Sequence, residues 1–171
     1  MITLSEFQQL IKKLQDRDLS ALEKIYNSYF GKIYSNAFLQ LKDEQDAYDI
    51  SMKVMEKLIN YSGPANEIRN HVGLLMTMTN NAIKDFYRKK KFIIQYENCE
   101  NLGRSELGDM LWLSDIVATM TEEEREIFID HVIWGIELKS IAEKKHRSYI
   151  TIRRMYHLIK KKISEIYKSE T

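Results

Sequence analysis

Gly135-Ile136-Glu137-Leu138-Lys139-Ser140-Ile141-Ala142-Glu143-Lys144-Lys145-His146-Arg147-Ser148-Tyr149-Ile150-Thr151-Ile152-Arg153-Arg154-Met155 runs from a glycine break through a short helical segment and a tight turn into a second helical segment. This order reads as a helix-turn-helix. Ala142 lets the two helices approach closely, and Ile150, Ile152, Met155, Ile159 and Ile163 are expected to hold their crossing angle. In such a pair the second helix lies in a major groove with its early side chains toward the base edges. Candidates for that role are Ser148, Tyr149, Thr151, Arg153 and Arg154. Arginine pairs bidentately with guanine, and hydroxyls reach bases or phosphates. Lys160, Lys161 and Lys162 follow one another too closely to face one groove together, which assigns them to phosphate or general electrostatic contact. The competing reading is a helical hairpin used only for packing.

Working outward, the rest of the chain is also helical in pattern. Thr3 and Glu6 have capping-box spacing ahead of Phe7, Leu10, Ile11 and Leu14. From Ser20, the positions Leu22, Ile25, Tyr26, Tyr29, Phe30, Ile33, Tyr34, Ala37, Phe38 and Leu41 recur every three or four residues, which predicts a long helix with a broad buried face. Asp43 can cap a third helix with Ala47, Ile50, Val54 and Leu58 inward, closed by Tyr61-Ser62-Gly63-Pro64. A fourth is expected from about Ile68 to Lys90. Periodicity then fades between Lys91 and Leu107, the expected linker, where proteolysis should cut first. Beyond it, Leu111 to Met120 and Thr121 to Trp134 form two further helical stretches. The second opens with a capping box at Thr121 and Glu124, and its inward face is Ile127, Phe128 and Val132.

The expected fold is therefore all-α: two small helical domains, 1–90 and 108–171, joined by a linker at 91–107, the second containing the helix-turn-helix. With 6 glycines and 1 proline in 171 residues, long helices are favoured over turn-rich β structure. Net charge is only +1, but it is segregated. Residues 84–91 carry five Lys/Arg against Asp85, 144–162 carry eight with no acid, and 97–126 carry nine acids against Arg104 and Arg125. Two basic blocks around an acidic stretch suggest two nucleic-acid surfaces; two solvated helix faces are the bland alternative.

Three further blocks carry a resemblance. Asp18-Leu19-Ser20-Ala21-Leu22-Glu23-Lys24-Ile25-Tyr26, then Asp46-Ala47-Tyr48-Asp49-Ile50, then Asn81-Ala82-Ile83-Lys84-Asp85-Phe86-Tyr87-Arg88-Lys89-Lys90 occur in one order at suitable spacing. Together with Gly135 to Glu143 and Ser148, Thr151, Ile152, Arg153 and His157, they resemble the extracytoplasmic-function group of sigma-70 family RNA polymerase sigma factors across most of the chain. The resemblance implies that the first domain docks on the polymerase core through Asp46, Asp49, Ile50 and Lys53, an acidic and partly apolar helical surface. It implies that Asn80, Asn81, Lys84, Arg88, Lys89 and Lys90 hold the melted minus-ten region, with Phe86 and Tyr87 adding aromatic surface. The second domain would read the upstream minus-thirty-five element through Arg147, Ser148, Tyr149, Thr151, Arg153, Arg154 and His157. Lys145-His146-Arg147 stands where the family has an apolar-glycine-apolar turn; Met52, Lys53 and Met55 replace glutamine, glutamate and phenylalanine, and Leu74 replaces a tryptophan.

The implied function is an alternative sigma factor that binds RNA polymerase core and directs promoter-specific initiation. Promoter DNA and the core are its partners, and an anti-sigma or accessory protein is a further candidate. Two other readings stay open: a sigma-like DNA-binding regulator that does not itself initiate, and a helical protein-interaction module without DNA binding. No enzyme is expected, and no catalytic, cofactor or metal site. The chain has no glycine-rich phosphate loop, and His71, His131, His146 and His157 are too scattered to chelate a metal together. The single Cys99 excludes an intramolecular disulfide. With no apolar run of membrane-spanning length and no secretory signal, membrane insertion is not expected and a cytoplasmic location is.

Overall fold

The computed structural model describes residues 2–93 and 108–169; for 90–93, 108–112 and 167–169 the description is of the helix alone. All regular structure among these residues is helical. The chain divides into two compact units, Met1–Glu106 and Leu107–Thr171.

The first unit is built from α1 (Leu4–Gln15), α2 (Ser20–Leu41), α3 (Glu44–Ile59), a 3-10 turn at Ala65–Glu67, and α4 (His71–Ile93). Local chemistry sets the boundaries. Thr3 Oγ1 accepts the Glu6 amide at 3.2 Å, starting α1, and Asp43 accepts the Asp46 amide at 2.8 Å, starting α3. The Thr3 box is only half made, because the Glu6 carboxylate is bonded to Lys24 at 2.5 Å and not to the cap. Helix α1 ends with Arg17 left-handed at φ 63, where the Asp18 and Arg17 amides return to the Lys13 and Leu14 carbonyls. Helix α4 begins later than the sequence pattern suggests, since Asn70 caps it by accepting the Gly73 amide at 2.9 Å. It also runs past Lys90 to Ile93, so 91–93 are helical; the rest of the expected linker, 94–107 with Cys99, lies outside the described residues.

The core is the predicted apolar stripes meeting one another: Phe7, Ile11 and Leu14 of α1; Ile25, Tyr29, Ile33 and Phe38 of α2; Ala47, Ile50, Val54 and Leu58 of α3; and Leu75, Ala82 and Ile83 of α4 are all buried. The face of α2 is narrower than predicted. Tyr26 is exposed, and Tyr26, Phe30 and Tyr34 form a stacked ladder along one side, with centroid spacings of 4.3 and 6.5 Å.

The second unit contains α5 (Gly108–Ala118), α6 (Glu122–Phe128) running on as a π-helical turn at Ile129–Ile133, α7 (Leu138–Lys144) and α8 (Tyr149–Ser169). The complete Thr121/Glu124 capping box opens α6, and Gly135 at φ 72 ends the π turn. The π turn changes which residues face inward. Each such turn holds an extra residue, so the 3.6-residue stripe that places Val132 inward slips. Val132 is 46% exposed, while Ile129 and Asp130 are buried. Ile150 is a second departure: expected to support the helix crossing, it is instead 77% exposed. The spacing explains this, because Ile152, Met155, Ile159 and Ile163 follow a 3-4-4 pattern and Ile150 stands two residues outside it.

Candidate nucleic-acid interface

In the second unit the turn between α7 and α8 sets the direction of the second helix. The Arg147 amide returns to the Ala142 carbonyl at 3.0 Å and the His146 amide to the Glu143 carbonyl at 3.2 Å, with His146 left-handed at φ 53. This is a Schellman ending, which normally places glycine where His146 stands. Ser148 then caps α8: its hydroxyl accepts the Thr151 amide at 3.1 Å and lies 2.8 Å from Thr151 Oγ1. Ser148 and Thr151 are thus engaged with each other while remaining exposed. Ile141 and Ala142 of α7 and Ile152 and Ile159 of α8 are buried, so the opposite face of α8 is free for solvent or ligand.

The basic residues of this unit sort by partner. Lys144 reaches the buried carboxylate of Asp130 at 2.9 Å, Lys145 bonds Glu126, and Arg147 lies 3.8 Å from Glu123. Lys162 bonds both oxygens of Glu124 at 2.8 Å, which ties α8 to the start of α6. Lys161 is 3.6 Å from Glu165, and Lys160 lies over the Tyr156 ring at 5.4 Å. Arg153 and Arg154 are exposed with no acidic partner among the described residues. On a helix of 3.6 residues per turn, 150, 153, 154, 157 and 161 share one outward face, so Arg153 and Arg154 share it with His157. Tyr149 stands at its edge, lining a groove of about 440 Å³ with His131, Glu137, Leu138 and Lys139.

The first unit offers a different surface. On α4, Asn81, Lys84 and Lys89 are exposed, Arg88 is exposed and bonded to Asp85, and Lys90 lies beyond the described side chains. Asn80 is committed inward: the Asn36 amide donates to its carbonyl at 3.3 Å, Gln40 donates to Asn36 at 2.6 Å, and the Tyr87 hydroxyl donates to the Gln40 carbonyl at 2.5 Å. This chain of polar groups joins α2 to α4 and satisfies the fully buried Asn36. Asn80 therefore helps to hold α4 in place, and the exposed Tyr87 ring is anchored by the same chain.

On α3, Asp49 is exposed and accepts from Gln45 at 3.1 Å, Asp46 is half-buried, and Lys53 is exposed. Ile50 does not belong to this surface. At 1% exposure it lies in the Ala47/Ile50/Val54 stripe that packs inward, because it follows Ala47 by one helical turn. The apolar content of the outward side comes from Tyr48, 45% exposed, and Met52, 42% exposed, with the Tyr48 ring 5.8 Å from Phe30 of the α2 ladder. Sequence periodicity places both residues opposite the inward stripe, which is the signal that could have found them. Between α3 and α4 a groove of about 380 Å³ is lined by Lys53, Glu56, Lys57, Asp85, Phe86 and Lys89.

Among the described residues no three His, Cys, Asp or Glu side chains gather as a metal site, and no helix is long and apolar enough to cross a membrane. No family model and no curated protein matches the chain. Among solved structures, it is similar to "Structure of CnrH in complex with the cytosolic domain of CnrY", with a TM-score of 0.67 at 12% identity, covering 96% of this chain and 99% of that one. At that identity the likeness establishes a shared fold over nearly the full length of both.

Proposed function

We propose that this protein is a non-enzymatic sigma-type transcription factor that binds RNA polymerase core and directs it to particular promoters. The observation that carries the reading is the outward face of α8, where Arg153 and Arg154 present guanidinium groups with no acidic partner among the described residues, from the first turns of a helix-turn-helix. A cation that is already neutralised within the fold has little left for DNA, whereas these two retain their full charge and bidentate geometry for guanine. The sequence resemblance across both units supports the rest: Asp46, Asp49 and Lys53, with Tyr48 and Met52, form the polymerase-docking side of α3, and Asn81, Lys84, Arg88 and Lys89 hold the opened minus-ten strand. The likeness to CnrH, whose structure holds the cytosolic domain of CnrY, supports a protein partner of the anti-sigma or accessory kind.

The test is recruitment. The purified protein is expected to co-elute with RNA polymerase core, and charge reversal of Asp46 and Asp49 together is expected to abolish co-elution while leaving duplex binding by the second unit nearly unchanged, because the altered residues lie in the other unit. Tight duplex binding without core association would favour the regulator that does not initiate. Absence of both activities would favour the interaction module.

A further inference from the structure

Ile150 is the most exposed large apolar side chain of the described residues, at 77%, and helix-turn-helix packing does not use it. A single exposed isoleucine is ordinary on a protein surface, so exposure alone assigns nothing. Its position does. Ile150 lies in the first turn of α8, two residues after the capping Ser148, and Arg153 and Arg154 follow it at i+3 and i+4, with His157 one further turn on. The side chains of this strip are exposed, and the neighbouring cations Arg153 and Arg154 have no acidic partner among the described residues. The strip therefore carries an apolar knob at its leading end, framed by two exposed guanidinium groups. A protein or membrane partner could meet an apolar knob, but the charge framing it, with no acid anywhere in 144–162, fits a polyanion.

In a major groove the one apolar group that a base pair offers is the thymine 5-methyl, and aliphatic side chains recognise thymine by packing against it. We propose that Ile150 is a specificity-determining residue that reads one or two thymine methyl groups in the upstream promoter element, beside guanines read by Arg153 or Arg154. The proposal rests on the DNA-binding reading of α8 and adds a base identity to it. Geometry favours the assignment, because a recognition helix brings its amino-terminal turn closest to the base edges. It also gives the exposed isoleucine a thermodynamic use: apolar surface that is hydrated in the free protein is buried against the methyl on binding.

The experiment selects duplexes from a randomised pool with the full-length protein and then replaces each thymine of the selected sequence, one at a time, by uracil, which lacks only the methyl. The wild-type protein is expected to lose about fourfold in affinity at one or two positions, the equivalent of one methyl left unburied, and little elsewhere. Ile150→Ser is expected to bind the thymine and uracil duplexes equally while keeping its guanine preference, and Ile150→Val to retain part of the difference. Because Ile150 is exposed, both variants should keep the wild-type helical content, which circular dichroism checks. Selection of a defined sequence with no thymine-to-uracil penalty, or a penalty that survives in Ile150→Ser, would overturn the proposal and leave the DNA-binding reading standing. Failure to select any sequence would overturn both.

Discussion

Removing the Glu124 side chain should loosen the second unit more than an ordinary surface change, because one carboxylate serves two connections. It accepts the Thr121 amide at 2.9 Å, closing the capping box of α6, and it holds Lys162 of α8 at 2.8 Å. The Thr121 cap itself survives in the alanine variant, because its hydroxyl accepts a backbone amide, so the loss on this side is the one return bond to the Thr121 amide, about 0.5–1 kcal/mol. The Lys162 pair, with side-chain exposures of 42% and 13%, adds roughly 0.5–1 kcal/mol, the upper part of the range for partly exposed pairs. Glu124→Ala should therefore cost roughly 1–2 kcal/mol, about a fivefold to thirtyfold change in the folding equilibrium. Urea unfolding followed by tryptophan fluorescence measures it selectively, since Trp112 and Trp134 both belong to the second unit and Trp134 is buried. A double-mutant cycle with Lys162→Ala should return a coupling of at least about 0.5 kcal/mol. The charge gives a pH signature as well. The Lys162 hydrogen bond, aided by the Thr121 contacts and opposed by burial, holds the Glu124 pKa below the usual 4.5. A carboxylate depressed on folding contributes its stability in full above its unfolded pKa and loses it as pH falls through the folded value. The advantage of wild type over Glu124→Gln should thus be constant above pH 4.5 and shrink below it. A cost under about 0.5 kcal/mol or zero coupling to Lys162 would refute this reasoning.

Two further predictions concern histidines. His71 is stacked on Phe7 at 5.1 Å and meets the Tyr29 ring edge at 5.8 Å, with Nε2 buried and without a hydrogen-bond partner among the described residues. Burial lowers its pKa from 6.5, partly opposed by a hydrogen bond with the Ile2 backbone. The unfolded chain therefore binds the proton more readily, so this contribution is intact above about pH 6.5 and falls away between 6.5 and the lower folded value. Thermal melts by circular dichroism should show that slope in wild type and not in His71→Phe; equal slopes would contradict it. His146 holds a left-handed conformation at φ 53 that costs about 1 kcal/mol for a side chain with Cβ. Glycine removes that strain but gains freedom when unfolded, so His146→Gly should stabilise the second unit by a few tenths of a kcal/mol and His146→Val should destabilise it. A loss of stability in His146→Gly would point to a contact of the imidazole that outweighs the backbone term.

Elements governed by short-range rules were legible in the sequence. Asp43, Thr121 with Glu124, and Gly135 mark helix ends through their own side chains or backbone freedom, and the aliphatic stripes of α1 and α3 identify nearly all the apolar residues those two helices bury. What escaped was set by partners distant in the chain or by a change of helical period. The Asn36–Asn80 bond joins residues 44 positions apart, which no local pattern reports. Lys162 looks like its neighbours Lys160 and Lys161 until Glu124, 38 positions earlier, is seen beside it. The π turn at Ile129–Ile133 moves Val132 outward because it interrupts the 3.6-residue period on which the reading depends. Ile50 and Ile150 were different: each position was readable from spacing, one inward at 3-4 steps from its neighbours and the other two residues out of step.

The measurement that bears most directly on the account is single-round transcription by RNA polymerase core with this protein as the sole specificity factor, across a library of promoters from the genome that encodes it. The account predicts transcripts from a small subset that share an upstream element and a minus-ten element at fixed spacing, lost when Arg153 and Arg154 are both replaced by alanine. Transcription that is absent on every promoter, or indifferent to promoter sequence and to those arginines, would contradict it.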